Sequence, residues 1–197
     1  MKKLIVITTP DGLPNEEQLL THLFEAGLER LHLRKPNSSR EEMEQLIRLL
    51  PDSYYARIVL HDHHELAMRY PLGGIHLNSR HPEAPAGYKG SISRSCHQLS
   101  EVKQFAPYCD YLFLSPIFPS ISKEGYGSGF SMECLQQAAS EGIINQQVIA
   151  LGGIDRQRIR SLQTIPFGGY AVLGAVWGNH LPAETIIQNF KSIKESL

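Results

Sequence analysis

The chain is short of several things that would narrow its role at once. It has 3 cysteines in 197 residues, Cys96, Cys109 and Cys134, with no Cys-x-x-Cys spacing. An odd number cannot all pair, so neither a disulfide scaffold nor a cysteine zinc site is expected, and a reducing, cytoplasmic setting fits. Charge of one sign is missing too, because 19 Lys+Arg against 20 Asp+Glu leave a net charge of -1. No global field then draws the protein to nucleic acid or to an anionic membrane surface. No apolar run approaches the ~18 residues of a membrane-spanning helix. The opening MKKLIVITTPDG breaks at Pro10-Asp11-Gly12, too early for the apolar segment of a signal peptide. Internal repeats, low-complexity tracts and linkers are also lacking, so a single domain over residues 1–197 is expected.

What is present is a regular alternation. KLIVITT closes at Pro10, after which NEEQLLTHLFEAGL places Leu19, Leu20, Leu23, Phe24 and Leu28 on one helical face behind a cap at Asn15. RLHLRK then precedes SSREEMEQLIRLL, where Ser39 and Glu42 have the spacing of a capping box. ARIVLHD precedes HHELAMRY, read as a third helix. GGIHLN precedes a Pro-rich connection, GSISRSC precedes HQLSEVKQFA, and YLFLSPIF precedes SMECLQQAASEG. QVIALGGI leads into DRQRIRSLQTI, and GGYAVLGAVWG into PAETIIQNFKSIKESL, whose Ile186, Ile187, Phe190 and Ile193 mark a buried stripe. Eight short, almost continuously apolar strands separated by helical returns predict a closed (β/α)8 TIM barrel. An open doubly wound sheet would carry its glycines after the first strand, whereas here they gather after the seventh and eighth. Trp177 and Tyr170 read as packing residues.

In such a barrel, functional side chains belong at the C-terminal ends of the strands. The polar residues at those ends are His32, Arg34 and Lys35; His61 to His64 with Asp62; His76 and Asn78; Arg94, Ser95 and His97; and Ser115, Ser120, Ser122 and Lys123. All are expected to face one mouth. The stretch LSPIFPSISKEGYGSG offers the hydroxyls of Ser120 and Ser122, the cation of Lys123 and a glycine-rich bend, which suits a phosphate or diphosphate; the same composition also suits a plain connector. Gly152 and Gly153 after the seventh strand, and Gly174 after the eighth, lie where barrels commonly bind phosphate through backbone N–H groups. Arg34 can hold two phosphate oxygens at once, or pack across the mouth. Asp62 can take Mg2+ together with substrate phosphates, or cap the third helix. His97 can act as an acid or base near neutral pH, or merely open the next helix. The histidines of LHDHHELA do not by themselves define a zinc triad, since His61 and His63 diverge along an extended strand.

Six of these segments, in order, resemble the thiamine phosphate synthase family and its TenI-type relatives. LHLRK is similar to the family's Gln-Leu-Arg segment, IVLHDHHELA to its Asn-Asp segment, and GGIHLNS to its Gly-Val-His-Leu segment. SRSCH resembles Ser-x-His, LSPIFPSISKEG the Gly-Pro-Ile-Phe-Pro-Thr-x-Thr-Lys signature, and IALGGI the Ala-Ile-Gly-Gly-Ile segment. The resemblance implies a transferase of thiamine biosynthesis that joins a hydroxymethylpyrimidine diphosphate to a thiazole phosphate with Mg2+ and releases diphosphate. It assigns Arg34, Lys123, Ser120 and Ser122 to the diphosphate, Asp62 to the metal, and Gly152, Gly153 and Gly174 to the thiazole phosphate; His32, His61 and Ser95 join them around the substrate. His61 stands for the family's asparagine, His32 for its glutamine and Pro36 for a lysine, with Lys35 one step early. The position of a second metal-binding aspartate falls near His81. That loss favours the TenI-type reaction, a metal-independent thiazole tautomerisation using His97, whereas the Lys-bearing loop favours the synthase. A protein that binds thiazole or thiamine phosphate without turnover stays open, as does a homo-oligomer. The implied partners are small phosphate and diphosphate substrates.

Overall fold

The computed structural model describes residues 2–119, 129–179 and 181–197. Eight strands, β1 (Lys3–Ile7), β2 (Arg30–Leu33), β3 (Ile58–Leu60), β4 (Gly74–Leu77), β5 (Ile92–Cys96), β6 (Tyr111–Leu114), β7 (Val148–Leu151) and β8 (Gly169–Val172), pair in sequence order. β8 returns to β1 and closes the barrel, and every pairing is parallel. The apolar strand sequences follow from burial on both faces. Alternate residues such as Leu4, Val6, Leu31, Leu33, Ile58, Leu60, Leu112 and Leu114 join the large core between sheet and helices. The intervening Ile5, Ile7, Tyr111, Phe113, Ile149 and Ala171 form a second, smaller cluster inside the barrel. The sheet separates the two, as a side-chain period of two requires.

The helices of the described residues are α1 (Glu16–Glu25), α2 (Arg40–Leu49), α3 (Leu99–Phe105), α4 (Met132–Ser140), α5 (Arg156–Ser161), α6 (Gly174–Trp177) and α7 (Ala183–Lys194). The Ser39 capping box forms as read: Ser39 Oγ accepts from the Glu42 N–H at 3.2 Å and Glu42 Oε2 from the Ser39 N–H at 2.7 Å. Asn15 precedes α1 but its side chain does not cap, because its backbone is left-handed with φ of 52°. Glu16 is buried instead and pairs with Lys35 Nζ at 2.6 Å. The third crossover departs from expectation. HHELAMRY yields a 3-10 turn, His64–Met68, entered through a left-handed His63 rather than through Asp62. The eighth strand also ends sooner than its apolar run, since Gly174 opens α6 and sends Trp177 inward, where its Nε1–H donates to the Ile7 carbonyl at 2.7 Å. Trp177 and Tyr170 are buried packing residues. No helix among the described residues is long and apolar enough to cross a membrane.

Candidate functional site

The barrel interior is apolar on one side and largely polar on the other. β1, β7 and β8 contribute Ile5, Ile7, Ile149 and Ala171, while β2 to β6 contribute imidazoles and hydroxyls on the same inward period, with Phe113 among them. His32 lies on β2, His61 just past β3 and His76 on β4, all at most 5% exposed. Tyr111 Oη is 2.7 Å from His32 Nε2, and His32 Nδ1 is 2.8 Å from His61 Nε2. His76 sits between Ser93 Oγ at 2.9 Å and Ser95 Oγ at 2.8 Å. Ser93 Oγ donates to the Ile75 carbonyl, so it accepts from His76 Nδ1–H, and His76 Nε2 accepts from the Ser95 hydroxyl. The Tyr111–His32–His61 chain can be polarised in either direction, each neutral ring passing its donor along.

Burial keeps these rings neutral. His32 and His61 titrate well below the ordinary histidine value, chiefly by desolvation and then through repulsion from His76. His76 is pushed down to about 3, again first by desolvation. The Tyr111 phenol moves the other way, up to about 12, for the same reason. Ligand nitrogens of the three histidines gather within 4.8 Å, a grouping spread over three strands that the sequence reading did not foresee. Tetrahedral zinc needs lone pairs converging on one point. The His61 and His76 rings instead stack at 4.1 Å with 21° between planes, and both His76 nitrogens already face serines. The arrangement is a buried, hydrogen-bonded polar wall on one side of the barrel interior.

At the mouth above it, Asp62 is only 3% exposed. Its Oδ1 accepts from Arg80 Nε at 3.0 Å and Nη2 at 2.7 Å, and its Oδ2 from the Lys35 N–H at 3.2 Å. His81 Nε2 lies 3.6 Å from the same Oδ1. Asp62 therefore caps no helix. Nor does the donor set fit Mg2+, which takes oxygens around a near-ideal octahedron: among the described residues the carboxylate at this mouth is that of Asp62, already held by a guanidinium and flanked by an imidazole. Arg34 lies half-buried beside this pair, pinned through its backbone N–H to Thr8 Oγ1 at 2.9 Å. Burial and the Arg80 charge push its pKa down while Asp62 pulls it up. Among the described residues no acceptor engages its guanidinium. Lys35 turns away from the mouth, its Nζ donating to Glu16 and to the carbonyls of Thr9 and Asp11 at 2.9 and 2.8 Å.

The remaining strand ends are unequal. His97 is exposed, and its Nδ1 lies 2.8 Å from the Ser115 carbonyl. That ring nitrogen must donate, which leaves Nε2 as the basic site. Gly152 and Gly153 have φ of +95° and +63°. A Cβ at Gly152 would stand 2.7 Å from Pro116 Cα, so this glycine lets the loops after β6 and β7 touch. A Cβ at Gly174 would meet nothing within 4 Å, and the first turn of α6 is open above it. Ser120, Ser122 and Lys123 lie outside the described residues. Besides Lys35, two expectations fail: Arg94 points outward, with its guanidinium 4.0 Å over the Phe105 ring, and His63 turns to the Ser38 carbonyl. Ser93, Tyr111 and Arg80 were missed. The period of two through SISRSC and YLF would have found the first two; Arg80 sits in a turn with no period to read.

A closed parallel barrel with its polar groups collected at the C-terminal mouth belongs to the class of α/β-barrel proteins whose ligands enter at that end. The model of the thiamine monophosphate synthase family matches residues 4–176, and the chain belongs to that family. The crystal structure of a thiamine phosphate pyrophosphorylase from Bacteroides thetaiotaomicron superposes with a TM-score of 0.88 at 39% identity, covering 98% of this chain and 96% of that one. A thiamine-phosphate synthase of Archaeoglobus fulgidus is 25% identical over 176 residues, 86% of this chain and 83% of its own. A thiamine phosphate pyrophosphorylase from Pyrococcus furiosus shares the fold, with a TM-score of 0.75 at 24% identity over 99% of this chain and 96% of that one.

Proposed function

We propose that the protein is a thiamine-phosphate synthase, a transferase that joins hydroxymethylpyrimidine diphosphate to thiazole phosphate and releases diphosphate. The observation that carries this reading is the 39% identity with a thiamine phosphate pyrophosphorylase along 98% of the chain. The His32, His61, His76 and Ser95 wall suits an aminopyrimidine, whose edge presents donors and acceptors that a buried polar site can match. Arg34, with Ser120, Ser122 and Lys123, would hold the diphosphate, and the N–H groups around Gly152, Gly153 and Gly174 the thiazole phosphate. The C–O bond breaks and its electron pair leaves with the diphosphate, whose charge these cations stabilise. The electron-rich pyrimidine bears the positive charge left on its methylene carbon, and the thiazole nitrogen closes the new C–N bond. In family members that use Mg2+, the ion would add charge stabilisation at the diphosphate; the donor set around Asp62 does not fit it, and no step above depends on it. A cytoplasmic setting goes with this reading.

Thiazole tautomerisation is a second reading, favoured by His97, whose Nε2 is left basic at the mouth by the Ser115 contact. One assay separates the two. Purified protein is incubated with both synthase substrates, and separately with the non-aromatic thiazole phosphate tautomer, following diphosphate, thiamine phosphate and aromatic thiazole. Thiamine phosphate formed in step with diphosphate supports the synthase. Aromatised thiazole alone replaces it with the tautomerase, and saturable binding without product leaves a binding protein.

A further inference from the structure

We propose that Arg80 supplies at Asp62 the positive charge a divalent cation would bring, and that Arg80 and Arg34 together form a diphosphate clamp that works without metal. The inference rests on the synthase reading for the identity of the anion, but its geometry stands apart. Arg80 is held in place on both sides. The Asn78 side chain donates through Nδ2 to the His61 carbonyl at 2.7 Å and accepts through Oδ1 from the Arg80 N–H at 2.9 Å. The turn is closed by reciprocal backbone bonds between Asn78 and His81 at 3.1 and 3.2 Å. From that turn the guanidinium places two donors on one buried oxygen of Asp62. A guanidinium has five N–H donors, so three stay available, and the side chain is 38% exposed, which puts them at the mouth.

The charges close in the same way. Mg2+ held by two carboxylates sums to zero. Arg80 with the single carboxylate of Asp62 also sums to zero, and in both cases Arg34 remains as net positive charge for an incoming anion. Arg34 and Arg80 are close enough for the second to depress the first. Two neighbouring guanidiniums, only one of them held by a carboxylate, are relieved by an anion that takes both, and the planar fork of each matches phosphate oxygens. An ion competing for Asp62 has to expel Arg80 from a carboxylate whose side chain is 4% exposed.

The test is calorimetric titration of the full chain with inorganic diphosphate, in chelator and then with Mg2+, for the wild type, Arg80→Ala and Arg80→Lys. Wild type is expected to bind diphosphate in chelator. Arg80→Ala should bind it roughly ten- to a hundredfold more weakly there, and should recover part of that loss when Mg2+ reaches the vacated Asp62. Arg80→Lys, which keeps the charge and loses the fork, should fall between them and serves alone if Arg80→Ala does not fold by circular dichroism. Loss of wild-type binding on chelation overturns the proposal, as does unchanged affinity in either variant. Diphosphate binding that depends on Arg80 in a protein making no thiamine phosphate would sink the synthase reading and leave the clamp standing.

Discussion

Acid should unfold this protein early, because the polar half of its barrel is made of histidines that are neutral when folded. His32, His61 and His76 all titrate below the ordinary value of 6.5 once buried, the last at about 3. A histidine whose folded pKa is depressed contributes stability that is fully present above its unfolded pKa and is lost as the pH falls below it, because the unfolded chain takes the proton and the folded one does not. One proton is worth about 1.4 kcal/mol per pH unit. Between pH 7.5 and 5.5 each ring then removes about 1.4 kcal/mol, and the three together about 4 kcal/mol. Buried His64 shifts in the same direction and adds to the loss. Against a total stability of about 5–15 kcal/mol that is a large fraction. Urea titrations at pH 7.5, 6.5 and 5.5, followed by far-UV circular dichroism, measure it directly. His61→Asn should remove about a third of the slope. Stability flat to within about 1 kcal/mol over this range, or a slope indifferent to His61→Asn, would refute the neutral-imidazole account.

Two further substitutions probe the frame of the mouth. Glu16→Gln leaves the buried Lys35 ammonium with carbonyls alone, and should destabilise by roughly 3–5 kcal/mol in the same urea assay; a loss under about 1 kcal/mol would show that the pair does not anchor the loop after β1. Gly152→Ala forces a Cβ against Pro116 at a φ of +95°, and should cost more than about 1 kcal/mol. It should also lower affinity for thiazole phosphate, whereas a wild-type melting curve would mean that the two loops separate freely.

The sequence made the barrel legible because each strand carries its own signal. RLHL, IVL, YLFL and VIAL are buried on both faces, so their apolar runs need no partner to be read. Asp62 was read from its position, but the residue that holds it was not. Its partner Arg80 lies 18 residues on, in a loop without periodicity, and only the closure of β3 against β4 brings the two together. The same holds for Tyr111 and His32, which are 79 residues apart and meet across the barrel lumen rather than along a strand. HHELAMRY failed as a helix because His63 enters it left-handed and the chain closes into a short 3-10 turn, His64–Met68. Local pattern announces elements, while contacts across the lumen depend on barrel closure, which no short window contains.

That division bears on how the site can vary. His61 and Asp62 are neighbours in sequence, yet one ring joins the wall inside the barrel while the other carboxylate pairs at the rim with Arg80 and the Lys35 N–H. Successive residues at a strand end diverge, so a change at one reaches the other only weakly. The rim can then exchange one residue for another without disturbing the wall inside the barrel, and the wall can do the same without disturbing the rim. The two exchanges are separable in principle, and an Arg80 variant should change how diphosphate binds while leaving the acid slope set by His32, His61 and His76 as it is.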